Sequence, residues 1–476
     1  MLSIDGSFGE GGGQIIRTSL ALSLVTGKAF RAYNVRARRD KPGLRQQHLT
    51  AVNAAVRIGS AKVDGAAVGS QAFTFEPGEV TPGDYTFDIG TAGSTTLVLQ
   101  TVLPPLMISD APSALTFVGG THNAFAPPFD FLQKTFLPLV NRTGPRVSAE
   151  LERYGFYPRG GGRFSVLIEP ATEPVRLELL ERGAIRSQRA RALVVNLPPH
   201  IAERELNVIR EKVGWDEDQL HVETSRDSLS QGNVVMLEIE SEHLTEVVTR
   251  LGERGVRAEV VAEKAADEAL QYLAHGAPVG EHLADQLLLP LALGAGGTYR
   301  TGPLSLHTTT NIEIIRKFLD VEITTGQTED GDWQVEVRPE ELFFLQQKRA
   351  TQTSRPFRCS RFFNSGALEV ARGLRLRRGL FVGAVRGPGR GAAALRRLHL
   401  LDAGGHAPVE VGYLLGREAV DVGLVVVELR AGDEVGHLEA VGLGLLDELL
   451  HGHRLRHDGE RRGLIVQHLG HRRGLR

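Results

Sequence analysis

The densest group of chemically capable side chains is Ser305-Leu306-His307-Thr308-Thr309-Thr310-Asn311, placed just before a helix expected over 312–319. Hydroxyls and an amide surround one imidazole at a strand-to-helix junction. A histidine that attacks an α-phosphate needs one free ring nitrogen, with its tautomer fixed through the other. It also needs positive groups for the charge that develops on phosphorus. A buried, satisfied histidine or a simple helix cap accounts for the same residues, and Asn311 suits an N-cap. Residue chemistry leaves these readings side by side.

Cationic partners lie far upstream. Gly9, Gly11, Gly12 and Gly13 surround Glu10 at the start of a helix expected over 14–25. Glycines let backbone N–H groups approach a ligand, and a helix start favours anions. Glu10 would repel a bare phosphate but could bind a divalent cation bridging to one. A tight turn is the competing reading. Nor is this the P-loop pattern, because no Lys-Ser or Lys-Thr follows. Arg17 lies one helical turn beyond Gly13. The segment 36–41 holds Arg36, Arg38, Arg39 and Lys41, and Arg45-Gln46-Gln47-His48 follows. Together these could clamp phosphates, since arginine forks match phosphate oxygens, although a solvated charged loop explains them equally well. Asp285 could cap a helix or orient catalytic groups. Gln100, an amide in an apolar helix, needs a partner. Arg153 and the turn 155–162, with Gly160-Gly161-Gly162, permit either close backbone contact or a bulge.

Repeated elements must position these residues. A strand over 2–4 leads to the helix at 14–25, whose Ile15, Ile16, Ser19, Leu20, Ser23 and Leu24 give one packable face. A second helix is expected over 46–58. Related patterns return at 85–107, where a strand ending at Asp88 leads into an apolar helix, and more loosely at the helix 283–293 followed by Gly294, Gly296 and Gly297. The segment 184–277 has less glycine and a different texture: strand 192–197, helix 201–213 closed by Gly214, strand 234–239 and a helix expected over 245–251. The predicted fold class is therefore α/β in layers. Repeated strand-helix units would occupy 1–183 and 278–340, with a small α/β domain inserted at 184–277.

Composition bounds the rest. A formal net charge of −2 means that any nucleic acid must be held by local arginines rather than by bulk charge. Cys359 is the single cysteine, which removes a disulfide framework and a cysteine-based zinc site. No run of 18 uncharged apolar residues and no basic, apolar leader is evident, so no membrane partner is expected and a cytoplasmic enzyme is the simple default. From Glu341 onward there are 21 arginines and one lysine, without firm helical or strand period. This Arg/His/Gly-rich extension, 341–476, reads as a basic tail for RNA, a small accessory domain, or a frameshift-derived or poorly ordered segment. Its histidines have no fixed ligand spacing, so no metal site is assigned there.

The motifs agree in order with one family. Asp5-Gly6 with Gly9-Glu10-Gly11-Gly12-Gly13-Gln14 and Arg17 resembles the amino-terminal signature of RNA 3'-terminal phosphate cyclases. So do Arg36 with Arg39-Asp40-Lys41-Pro42-Gly43-Leu44, and Gln47-His48-Leu49-Thr50-Ala51. The turn 155–162, Ala284-Asp285-Gln286 and Leu306-His307 complete a resemblance spanning about residues 1–340.

That resemblance implies units of two helices on four-stranded sheets plus a small inserted domain. It implies ATP as co-substrate, Mg2+ or Mn2+, and a single-stranded RNA ending in a 3'-phosphate. The family reaction runs through protein-histidine-AMP and an RNA adenylate to a 2',3'-cyclic phosphate, releasing pyrophosphate and AMP. Carried over residue by residue, His307 is the nucleophile and Glu10 the metal and nucleotide-phosphate contact. Arg17, Arg36, Arg39 and Gln47 lie around the phosphates and the RNA end, with Arg36 and Arg39 on the RNA side. Asp285 and Arg39 join His307 in catalysis, Gln100 supports the site, and Pro127 or Pro128 packs on adenine. His282 replaces the opposing aromatic of well-known members, so a weaker or differently tuned nucleotide contact is expected. Alternatives are a non-catalytic cyclase-like protein of ribosomal RNA processing and an enolpyruvyl transferase; the histidine opposes the first, and the insert and Leu306-His307 fit the second poorly. The physiological RNA, the preferred metal and the choice between monomer and homodimer stay open.

Overall fold

The computed structural model describes residues 1–340 and the backbone of four short strands further on. The first unit runs β1 (Leu2–Asp5), α1 (Gly13–Thr26), β2 (Phe30–Tyr33), α2 (Gln46–Gly59), β3 (Lys62–Asp64) and β4 (Phe73–Glu76). The second runs β5 (Asp84–Asp88), α3 (Thr95–Met107), β6 (Ser113–Gly119), α4 (Phe129–Phe131), a π-helical turn (Leu132–Phe136), α5 (Leu137–Arg142), β7 (Arg146–Arg153) and β8 (Gly162–Glu169).

The third unit opens with β9 (Leu177–Leu179) and is then interrupted. The interruption comprises β10 (Ile185–Val195), α6 (His200–Val213), β11 (Leu220–Ser225), β12 (Gly232–Ser241), β13 (Thr245–Leu251) and α7 (Ala258–Ala274). The unit resumes with α8 (Glu281–Leu293), β14 (Gly297–Thr301), α9 (Leu306–Phe318), β15 (Val321–Gln327) and β16 (Trp333–Pro339).

The three units share one topology. Their sheets are ordered β1-β2-β4-β3, β5-β6-β8-β7 and β9-β14-β16-β15, each with a parallel first pair and two antiparallel pairs. The interrupting sheet is ordered β11-β10-β12-β13, a different connectivity. It packs α6 and α7 around its own buried cluster, which includes Val194, Ile209, Trp215, Val235, Leu237 and Ala262. Helices of the repeated units pack on one another, with α1 touching α2, α3 and α9.

Several local expectations change. The segment 245–251 is strand β13, not a helix: Thr245, Val247, Val248 and Thr249 are β-branched, and Val247 and Val248 are buried beside β12. Helix α7 carries no sequence expectation; its buried face is mostly alanine. The last helix begins at Leu306, not at 312. Its N-cap is Ser305, whose hydroxyl accepts from the Thr308 N–H at 3.1 Å, so Asn311 lies inside the helix. Likewise α8 begins at Glu281 after Gly280, which puts Asp285 one turn inside it. The third repeat looks loose in sequence because its first strand, ending at Leu179, lies before the interruption, far ahead of the helix that starts at Glu281.

Beyond residue 340, β17 (Leu380–Ala384), β18 (Leu395–Asp402), β19 (Pro408–Leu414) and β20 (Val425–Val427) form an antiparallel meander in chain order. The expectations made for 341–476 otherwise lie outside the described residues.

Candidate active site

The repeat topology dictates where polar groups gather. In each unit the first two strands are parallel and a helix lies between them in the chain. The starts of α1, α2, α3, α8 and α9 all border one cavity of about 1200 Å³. Unpaired N–H groups and helix dipoles make such a space favourable to anions.

Glu10, Arg17, Arg36, Arg39, Gln47, Gln100, Pro127, Pro128, His282, Asp285 and His307, the residues carried over as site candidates, all line this cavity. The turn 155–162 does not. Its Arg159 N–H donates to the Ser230 hydroxyl at 3.1 Å, and a Cβ at Gly161 would collide with the Leu229 side chain. That turn seats the loop ahead of β12, and Arg153 is tied back to the Gly161 carbonyl at 2.6 Å.

The glycine loop is pressed onto α9. The Glu10 N–H donates to the Thr310 hydroxyl at 3.0 Å, while Thr310 donates to the Leu306 carbonyl at 2.6 Å. Gly9 has φ +52°, and a Cβ there would overlap that hydroxyl. Only glycine tolerates both conditions. At Gly13 a Cβ would lie 2.5 Å from His48 Nε2, so this helix start is bare enough for His48 to reach it.

Charge is arranged around that loop. Arg39 donates to the Glu10 carbonyl at 2.9 Å and to its Oε2 at 2.7 Å. The other oxygen, Oε1, is buried without a partner. Burial pulls the Arg17 guanidinium down to about 10, against the stabilising charges of Glu10 and Asp285. Arg36 adopts φ +52° and donates to the Lys41 and Gly43 carbonyls at 2.8 and 3.0 Å, bending the basic segment back on itself. His48 accepts from the Arg45 N–H at Nδ1, 3.0 Å. Its burial, with Arg17, Arg36 and Arg45 nearby, drives its pKa down to about 3. The ring is therefore neutral and carries its proton on Nε2.

The opposite wall is built by amides. Gln47 accepts from the Ser94 N–H at 3.1 Å, and Gln100 donates to Gln286 at 2.9 Å, which supplies the partner its apolar helix lacked. The Thr96 hydroxyl donates to the Pro127 carbonyl at 2.7 Å and pins the proline loop. His282 is exposed on α8, with Nε2 3.9 Å from Glu268.

His307 sits in the first turn of α9 with its side chain exposed toward the cavity. Its Nδ1 lies 3.2 Å from Gln14 Oε1, and the Gln14 amide donates to Asp285 Oδ2 at 2.5 Å. Partial burial of the ring, aided by Arg17, Arg39 and His282 and opposed by Glu10, holds its pKa below the usual histidine value. Burial pushes the Asp285 carboxyl up to about 7, against the pull of Arg17. Sequence reasoning gave Gln14 no role of its own and named His48 only within the polar stretch 45–48 that could help clamp phosphates. Both stood inside quoted motifs, but an amide or imidazole amid arginines carries no spacing that marks its role.

Comparison with known proteins agrees with this geometry. The family model described as RNA 3'-terminal phosphate cyclase matches residues 8–325. An RNA 3'-terminal phosphate cyclase of Koribacter versatilis (strain Ellin345) is 51% identical over 330 residues, covering 69% of this chain and 93% of the relative. One from Ectopseudomonas mendocina (strain ymp) is 48% identical over 338 residues, 71% of this chain and 98% of the relative. A third, from Ralstonia nicotianae (strain ATCC BAA-1114 / GMI1000), is 48% identical over 331 residues, 69% and 95%. With the match reaching into all three repeated units and across the interrupting sheet, and relatives covered nearly end to end, the chain belongs to the RNA 3'-terminal phosphate cyclase family.

Proposed function

We infer that the chain uses ATP to convert the 3'-terminal phosphate of a single-stranded RNA into a 2',3'-cyclic phosphate. The observation that carries this reading is the engagement of His307 Nδ1 by Gln14 beside an arginine-lined cavity. Engagement at Nδ1 leaves Nε2 with the lone pair that a nucleophile needs.

Three displacements follow. His307 Nε2 attacks the α-phosphorus of ATP, the bond to the β-phosphate oxygen breaks, and pyrophosphate leaves. An oxygen of the RNA 3'-phosphate then attacks the same phosphorus, the N–P bond breaks, and its electron pair returns to the imidazole. Finally the vicinal 2'-oxygen attacks the 3'-phosphorus, losing its proton, and AMP leaves. Arg17 and Arg39 would balance negative charge on the triphosphate, and Arg36 and Arg39 would hold the RNA phosphate; all three line the cavity.

Among the described residues no group of three or more histidine, cysteine, aspartate or glutamate side chains could cage a metal. Mg2+, however, is commonly held by one or two carboxylates plus substrate phosphates and water. Glu10 fits that role, because Oε1 is buried and unpartnered while Arg39 occupies Oε2. A bound Mg2+ or Mn2+ would neutralise charge at the triphosphate oxygens.

The test is transfer of label from α-labelled ATP. Acid-labile label on the wild-type protein and none on His307→Ala is the expected result, with conversion of a 3'-phosphorylated oligoribonucleotide to its cyclic form. Label that persists in His307→Ala, or a wild-type protein that takes up none, overturns the reading.

A further inference from the structure

We propose that Gln14 is the positioning residue that sets the tautomer of His307, with Asp285 in turn fixing which face of the Gln14 amide meets the ring. The proposal deepens the function inferred above and rests on it for the use made of Nε2.

The case is one of hydrogen-bond direction. An ionised carboxylate only accepts, so Asp285 Oδ2 requires the NH2 group of Gln14 on its side. Burial lifts the carboxyl to about 7 against the pull of Arg17, so this direction belongs to the ionised form that prevails above that pH. The carbonyl oxygen of Gln14 then faces His307, and a carbonyl oxygen also only accepts. Nδ1 must therefore hold the proton, and Nε2 must hold the lone pair. Turned the other way, the amide would donate to Nδ1, the proton would move to Nε2, and no nucleophile would remain. Gln14 is only 6% exposed, so water does not compete freely for either end.

A second rung holds the first in register. Gln14 and Thr18 are one turn apart on α1, and His307 and Asn311 are one turn apart on α9. The Thr18 hydroxyl donates to Asn311 Oδ1 at 2.8 Å, and Asn311 Nδ2 donates to the Asp285 carbonyl at 2.8 Å. Three helices from two repeated units are thus cross-tied at the point where the ring must be oriented. No residue of this ladder lies close in sequence to its partner on another helix.

A neutral acceptor also suits a reaction that must be undone. After attack on the α-phosphorus the ring carries both a proton on Nδ1 and phosphorus on Nε2, and so is cationic. The Gln14 oxygen supports that cation without neutralising it, so imidazole remains a good leaving group for the next transfer.

Isosteric exchanges test the ladder. Gln14→Leu removes the acceptor and is expected to slow adenylylation roughly ten- to hundredfold, the range for a lost hydrogen bond to a charged group. Gln14→Glu and Asp285→Asn should each be slow, since one pairs two carboxylates and the other lets the amide rotate. Gln14→Glu with Asp285→Asn restores an acceptor facing His307 and a donor behind it. The double variant should adenylylate at least tenfold faster than either single one, yet pass AMP to RNA more slowly than wild type. Nitrogen-15 spectra of the histidine-labelled wild-type protein at about pH 8.5, where Asp285 is ionised, should place the proton on Nδ1 of His307. A proton on Nε2, wild-type rates in Gln14→Leu, or a folded double variant no faster than the single ones would overturn the proposal. The wild-type spectrum decides even if the variants fold badly. Absence of adenylylation in wild type would instead refute the functional reading and leave the tautomer question to the spectrum.

Discussion

His48 lines the cavity as a neutral imidazole set among arginines. It is buried to 5% exposure, and the Arg45 N–H occupies Nδ1. Burial and three nearby arginines lower its pKa from the usual value to about 3. The unfolded chain therefore binds a proton below about pH 6.5 that the folded protein refuses until about pH 3. Stability is thus lost as pH falls through that window, by about 1.4 kcal/mol per pH unit. Between pH 6.5 and 5 the loss should reach roughly 2 kcal/mol in excess of that in His48→Gln, whose amide oxygen can still accept from Arg45. Urea unfolding of both proteins at the two pH values measures this. Equal pH slopes would mean that the buried ring is not held neutral.

At the scale of elements, the interrupting sheet must be held against the body that carries His307. Arg191 on β10 does much of this: it meets Asp130 of α4, Glu223 of β11 at 2.8 Å and Glu238 of β12 at 2.9 Å. Lys134 of the π-helical turn also reaches Glu238, and His122 pairs with Asp130 at 2.9 Å. Charges from both sides are therefore neutralised in one buried network, and Asp130 is held well below the ordinary carboxylate range despite its burial, with His122 and Arg191 lowering it. Arg191→Ala leaves Asp130 without its cation and should cost about 3 kcal/mol, near the low end for a broken buried pair because Lys134 and Arg189 still serve Glu238. It should also expose the connections around residues 180–184 and 275–280 to limited proteolysis. Unchanged melting and cleavage would place the strength of this junction elsewhere. None of the network was legible in the sequence, because its directly paired charges lie up to 104 residues apart. The repeated helices were legible, since their apolar faces recur near the helical period. Strand β13 was not: four β-branched residues in seven, read without their neighbours, fit a short amphipathic turn as readily as a half-buried strand. The place of His307 in a first helical turn was likewise obscured, because Ser305 and Asn311 are both good caps and only packing chooses between them.

For the whole molecule, the question is how much chain the reaction needs. The third sheet is completed by β16, which lies between β14 and β15 and ends at Pro339. All residues bordering the cavity, from Glu10 to His307, precede that strand's end. The Koribacter versatilis relative is matched over 93% of its own length by 330 residues of this chain, and the family model is matched by 8–325. Charge sharpens the point. Apart from Arg250, the arginines that line the cavity belong to the first unit, whereas 21 of the chain's 55 basic residues are arginines after residue 340. A chain ending after Glu340 should therefore fold, adenylylate His307 at about the full-length rate and cyclise a 3'-phosphorylated oligoribonucleotide. RNA binding can still differ between the two forms, since counterion release makes each added phosphate contact visible as a steeper salt dependence. Parallel measurements at low and moderate salt separate the effects. Equal adenylylation with a shallower salt slope in the shortened protein would assign the arginine-rich segment to holding RNA. Equal behaviour throughout would show that the reaction is confined to the three repeated units and their interrupting sheet. Loss of adenylylation itself would mean that residues after 340 support the site, against everything that its lining and the matched length of its relatives imply.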